Sequence, residues 1–235
     1  VVTGAFGFFQ GENRNTVPVT VDTEAMSEEE RAEFSRQQRA VEKAEAEKRE
    51  TEVRLATGRA RDQWSKGVPA TDGHPYLVHK QITGEGLRVD AGGNLLVPMM
   101  RDGQLVGLQK IDPVGEKRFN QGMDKAGAAH MLGDPDGASV IGCGEGLATC
   151  ASVRMSVATA FDLPVAVAFD AGGILAVAKR LRQDHPAAHL LFLADDDYQL
   201  AERFVERLRE EFKVSGAVPI DGSRGPAGAT RDREA

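Results

Sequence analysis

Leu190-Leu191-Phe192-Leu193-Ala194-Asp195-Asp196-Asp197 joins an apolar run to three consecutive carboxylates. The run reads as a strand buried on both faces. Its C-terminal end is where open α/β sheets hold their ligands. Strand geometry sends Asp195 and Asp197 to one side and Asp196 to the other. Adjacent carboxylates repel unless a cation or a proton intervenes, and hard oxygen donors favour Mg²⁺ or Mn²⁺. A solvated acidic loop before the next helix, with Asp as an N-cap, is the alternative reading.

Two further strand ends deliver carboxylates. Ser139 to Gly144 reads as a buried strand leading into Glu145-Gly146 and the helical pattern Leu147 to Ala158. Val165 to Phe169 ends in Asp170-Ala171-Gly172-Gly173. Three strand ends that each bring a carboxylate to one sheet edge suggest a metal-dependent phosphoryl-transfer site. Gly142-x-Gly144-x-Gly146 superficially matches a phosphate loop, but a glutamate between the last two glycines suits a metal site better.

From Ser139 the pattern is strand, helix, strand, helix, strand, helix, with helices near 146–158, 173–184 and 199–213 and a last strand Gly216 to Ile220. This alternation predicts a parallel sheet flanked by helices. Upstream, residues 87–119 read as an antiparallel meander with strands Leu87–Val89, Leu95–Met99 and Leu105–Ile111. Ser27-Glu28-Glu29-Glu30 is a capping box opening a long charged helix to about Trp64. The expected organisation is a remnant of a β-rich segment (1–26), the helix (27–66), an α+β subdomain (67–138), the parallel-sheet domain (139–221) and a disordered tail (222–235).

Composition fits a globular chain: 41% hydrophobic and 28% charged in 235 residues, with no run long enough to span a membrane. Cytoplasmic residence is the expectation. Cys143 and Cys150 supply neither a zinc set nor a disulfide framework, so both are expected as buried thiols. A net charge of −7 gives no global nucleic-acid signature, so any cationic surface must be local. A start at Val1 suggests a fragment or a processed product.

The Glu145-Gly146 strand end paired with Asp195-x-Asp197 resembles the Toprim domain. With Gly144 to Thr149, Val165 to Gly172 and Ala194 to Asp197, it resembles the Toprim primases of plasmids, phages and integrative elements. Four upstream blocks add to the likeness: His74-Pro75-Tyr76-Leu77, Leu96-Val97-Pro98, Leu108-Gln109-Lys110-Ile111 and Lys117-Arg118-Phe119. The resemblance covers about Trp64 to Ile220. It departs from the bacterial replicative primases at Thr149, where an extra acid is usual, and at Tyr198-Gln199-Leu200, where a glycine often follows. Asp221 is a weak candidate for a late acidic motif.

The resemblance implies a DNA primase core making short RNA primers from NTPs on single-stranded DNA for mobile-element replication. A replicative helicase, in cis or in trans, is the implied partner. Asp195 and Asp197 would hold Mg²⁺ or Mn²⁺, with Glu145 a further ligand or the general base. Asp170 would orient a ligand or cap the following helix. Lys110, Lys117 and Arg118 are candidates for template phosphates, with Arg101 and Lys80 further out. Phe119 could stack on a base or belong to the core; His74 and His130 are expected to be structural. The competing readings are a Toprim nuclease, with water as nucleophile, and a degenerate module that binds nucleic acid or a helicase. A topoisomerase needs a tyrosine in a separate domain, and only Tyr76 and Tyr198 are present.

Overall fold

The computed structural model describes residues 2–7, 16–21 and 26–193. Asp195, Asp197 and Asp221, the helix expected at 199–213 and the strand expected at Gly216–Ile220 lie outside the described residues, as does the 222–235 tail. The chain divides into two compact units between Glu52 and Val53, inside the long helix and not at its end.

In the first unit, β1 (Val2–Gly7) and β2 (Thr16–Val21) form an antiparallel pair, Val2 opposite Val21 and Gly7 opposite Thr16. Helix α1 runs Glu28–Lys66, two residues past the expected end. Its capping box is reciprocal: Ser27 N–H donates to Glu30 Oε2 at 2.8 Å, and Glu30 N–H to Ser27 Oγ at 3.3 Å. Those bonds hold the Glu30 carboxyl below its usual range. Up to Glu52 the helix is almost wholly exposed and carries local pairs such as Arg36–Glu33.

In the second unit the end of α1 becomes a packing element. Ala60 lies buried with Leu96, Leu105 and Leu108 on one face of an antiparallel sheet. That sheet contains β3 (Val68–Pro69), β4 (Arg88–Val89), β5 (Leu95–Arg101), β6 (Gln104–Ile111) and β7 (Lys117–Phe119), in that order. The β5–β6 turn has positive φ at Asp102 and Gly103, as a two-residue hairpin turn of the primed kind requires. Helix α2 (Pro75–Lys80) precedes β4. His74 caps it: Nδ1 accepts from Tyr76 N–H at 3.2 Å while Nε2 lies 2.8 Å from the Gly93 carbonyl.

The second sheet contains β8 (His130–Leu132), β9 (Val140–Gly144), β10 (Val165–Val167) and β11 (His189–Leu193), in the order β11-β9-β10-β8. Strands β11, β9 and β10 are parallel, joined through α3 (Leu147–Val157) and α4 (Ala171–Asp184). The expected parallel sheet is corrected at one edge: β8 pairs antiparallel with β10. Three residues are too few to show a period, and β8 comes from the stretch assigned to the upstream subdomain. An antiparallel edge on a parallel sheet is common in α/β folds.

One face of this sheet shares a core with α3 and the antiparallel sheet, through Val165, Val167, Leu147, Leu95 and Val97. The other face packs Ile141, Cys143 and Ala166 against Ile174, Val177 and Leu181 of α4. Both cysteines are buried free thiols, and burial pushes Cys143 up to about 12. No helix among the described residues is long and apolar enough to cross a membrane.

Gly144 closes β9 where three elements meet. A Cβ there would lie 2.7 Å from Cys150 Sγ on α3 and 3.0 Å from Leu193 Cβ on β11. The glycine thus serves packing. Gly144→Ala is expected to destabilise the protein by about 1–3 kcal/mol through overpacking. Urea unfolding measures this, and a change within about 0.5 kcal/mol would mean that α3 and β11 yield freely.

Candidate active site

The sheet order makes β9 the switch point: its two neighbours are β10 and β11, reached by connections that run in opposite directions. In open parallel sheets the crevice for ligands opens outside the strand ends at such a point. Glu145 is the first residue beyond β9, and Gly146 caps α3 in an extended conformation with no side-chain bond. Register sets the three strand ends level, with Gly144 opposite Val167 on one side and Leu193 on the other. Asp195 and Asp197 follow two and four residues after Leu193 in the chain.

Beyond β10 the chain keeps hold of this edge. Ala168 N–H donates to the Gly144 carbonyl at 2.8 Å, and Phe169 N–H to the Glu145 carbonyl at 2.9 Å. Phe169 then turns with φ +70, a left-handed conformation costly for a bulky residue, of order 1–3 kcal/mol. The turn feeds Asp170, the N-cap of α4, whose Oδ1 accepts from Gly173 N–H at 2.7 Å. Its Oδ2 pairs with the Lys125 ammonium. Gly173 is required here, since a Cβ would approach the Ala168 carbonyl oxygen to 2.5 Å. Both carboxylate oxygens of Asp170 are thus engaged in structure, which favours its capping role over that of a ligand.

A groove of about 260 Å³ opens between the two sheets, lined by Gln109, Lys117, Phe119, Glu145, Gly146, Ala148, Thr149 and Phe169. The antiparallel sheet therefore supplies one wall and the C-terminal edge of the parallel sheet the other. Phe119 is 38% exposed and meets Phe169 edge-to-face, with ring centres 6.2 Å apart. Lys125 Nζ lies 5.0 Å from the Phe119 ring centre.

The five cations proposed for the template do not form one surface. Gln109 pairs with Phe119, Lys110 with Arg118 and Ile111 with Lys117 across β6 and β7. Alternation then puts Lys117 on the groove face and Lys110 with Arg118 on the other. Lys110 lies 3.5 Å from Asp90, and Arg118 grips Glu116 with two bonds of 3.2 and 2.7 Å. Hydrogen bonding to Glu116 raises the Arg118 guanidinium further above its ordinary value. Arg101 is tied to Asp124 and the Ala126 carbonyl, each at 2.9 Å. Lys80 sits exposed in the last turn of α2.

Gln109 and Phe169, which line the groove, and Lys125, which sits over the Phe119 ring, went unassigned in the sequence. Gln109 carried a signal, an amide in the interior of β6, whose other amide, Gln104, opens the strand. Lys125 stands in an irregular segment with no period to read. Among the described residues no three His, Cys, Asp or Glu side chains gather as a metal cluster, and the Asp195–Asp197 pair lies outside them.

No family model matches the chain. Two curated relatives, both DNA primase TraC of Escherichia coli, are 32% identical over 163 residues (67% of this chain) and 31% identical over 188 residues (75%). The chain spans only 15% and 12% of the length of those relatives. Among solved structures, the primase fragment of the bacteriophage T7 primase-helicase protein aligns with a TM-score of 0.46 and 12% identity, covering 61% of each chain. The bacteriophage T7 lagging-strand DNA polymerase complex with primase domains of two gp4 subunits, bound to an RNA/DNA hybrid and dTTP, contains a chain aligning at TM-score 0.43 and 14% identity, over 56% of this chain and 70% of that one. The resemblance to primases of the plasmid and phage type, read first from short motifs, is borne out by the named relatives.

Proposed function

We propose that this chain, a relative of DNA primase TraC over two thirds of its length, is a primase catalytic core of the Toprim kind. It joins nucleotides into short RNA primers on single-stranded DNA, in the cytoplasm, for replication of a mobile element, beside a helicase in cis or in trans. The observation that carries this reading is the placement of Glu145 at the switch point, level with the end of β11 that leads to Asp195 and Asp197.

Primer synthesis needs a 3′-hydroxyl to attack an α-phosphate while pyrophosphate leaves. Charge gathers on phosphoryl oxygens in the transition state. Carboxylate oxygens are the donor chemistry that Mg²⁺ and Mn²⁺ prefer, and Asp195 and Asp197, with Glu145, would hold the ion. Such an ion supplies Lewis-acid stabilisation of phosphoryl charge. Glu145 either adds an oxygen donor or takes the proton of the attacking hydroxyl. Lys117 offers its ammonium to phosphates from the opposite wall of the groove.

Synthesis of labelled primers from NTPs on single-stranded DNA, with and without Mn²⁺, tests the reading. Metal-dependent primers are expected; their absence under both metals overturns it, and strand cleavage without NTPs would assign a nuclease instead. The two faces of β7 make a sharper prediction about template cations. Lys117→Ala should weaken single-strand binding and lower the salt slope by about 0.7, the loss of one phosphate contact. Arg118→Ala, which removes a residue already paired with Glu116, should leave the slope unchanged. Equal salt titrations for the two variants would cancel the distinction.

A further inference from the structure

Gln109 stands apart from the other polar groups of the core. It is 5% exposed, and its side-chain amide makes no hydrogen bond among the described residues. A largely buried side chain whose amide has no protein partner meets its hydrogen-bonding needs elsewhere, from water or from a ligand. The orphan atoms of Tyr76, His130 and Arg154 are sealed from solvent. Gln109, by contrast, opens on the groove that it lines with Phe119 and Glu145.

The surroundings suit one kind of ligand. A carboxamide presents a donor and an acceptor side by side. Nucleobases present the complementary pair on their edges, and Gln commonly binds adenine in this bidentate manner. Phe119 is the direct cross-strand partner of Gln109 and is partly exposed to the same groove. Its ring is fixed by the edge-to-face contact with Phe169. Amide and aromatic together are what proteins use to read a splayed-out base: an edge to bond and a surface to pack on. At about 260 Å³ the groove is smaller than the roughly 300–1,000 Å³ of drug-sized sites. That suits a single base better than an extended strand.

We infer that Gln109, on the platform of Phe119, recognises the edge of a nucleobase beside the Glu145 edge of the sheet. The inference rests on the primase reading for its choice of ligand. The base is supplied either by a nucleoside triphosphate or by the single-stranded template, and the chemistry at Gln109 is shared.

The test uses the 235-residue chain and its Gln109→Met variant, which keeps length and volume and removes the polar pair. One arm measures affinity for ATP against purine riboside triphosphate, which lacks the exocyclic amine. The other compares single-stranded oligonucleotides of deoxyadenosine and of deoxynebularine. Wild type should prefer the amine-bearing base roughly tenfold in at least one arm, and the variant should bind both bases about equally. The arm that shows the difference identifies the source of the base. The melting temperature of the variant should stay level or rise, since no internal hydrogen bond is lost.

A base preference that is unchanged by Gln109→Met, or absent from both arms in wild type, overturns the inference. So does a clear drop in melting temperature, which would reveal an internal partner for the amide. Primer synthesis measured on the same wild-type preparation separates the two claims. Primers without Gln109-dependent base preference leave the primase reading intact and remove the inference. Gln109-dependent base preference without primers does the reverse.

Discussion

Asp195→Asn and Asp197→Asn are each expected to reduce metal-dependent primer synthesis roughly a thousandfold or more while leaving the fold intact. Each exchange removes one negative oxygen donor and nearly preserves shape. Lewis-acid stabilisation of a phosphoryl transition state is worth several kcal/mol, and each 1.36 kcal/mol is a factor of ten in rate. Relief of repulsion between neighbouring carboxylates should even stabilise the metal-free variants slightly. Glu145→Gln should be inactive as well, yet its metal affinity separates its two candidate roles. Retained affinity with lost synthesis marks a base, and affinity lost in parallel marks a ligand. Calorimetry and primer synthesis on the same three variants give the answer. Wild-type synthesis in both aspartate variants would refute the assigned site, whatever the family likeness.

The Glu145 edge was readable because buried parallel strands leave a strong trace. Val140–Gly144 and His189–Leu193 are short, largely apolar runs, each adjoining a helical pattern, and both form β strands within a residue or two of expectation. Sequence also located the meander, since its turns are marked by Asp-Gly and Gly-Gly pairs. What it did not give is partnership across space. His130–Leu132 joins the parallel sheet from the far side of a loop, and no local period announces that pairing. Lys117 and Arg118 look like one basic pair in the sequence, yet the pleat sends them to opposite faces. Arg101 looks like a free cation until Asp124 and the Ala126 carbonyl are found beside it. Asp170 is the intermediate case: its Asp-Ala-Gly-Gly context already offered capping, and the short approach of Gly173 to Ala168 shows why the glycine is there.

The largest effect on stability, as distinct from activity, is expected from His130. Its ring is buried on the edge strand β8 against Gly86, and Nε2 has no partner among the described residues. Burial pushes its pKa down to about 4, opposed by a hydrogen bond with the Glu85 backbone. An unfolded histidine titrates near 6.5. Between those values the unfolded chain binds a proton that the native state refuses, so stability falls with acidification. The contribution is intact above about pH 6.5 and is lost progressively as pH drops to about 4, by about 3 kcal/mol in all. His130→Asn removes the titration and keeps a donor or acceptor for the Glu85 backbone. Urea unfolding of both proteins at pH 7 and pH 4.5 isolates the term from the carboxylates they share. Wild type should lose more stability than the variant over that interval, and the His130 ring should titrate below pH 5 by NMR. Parallel losses in the two proteins, together with a ring that titrates near 6.5, would place His130 in contact with water and dismiss the buried neutral imidazole.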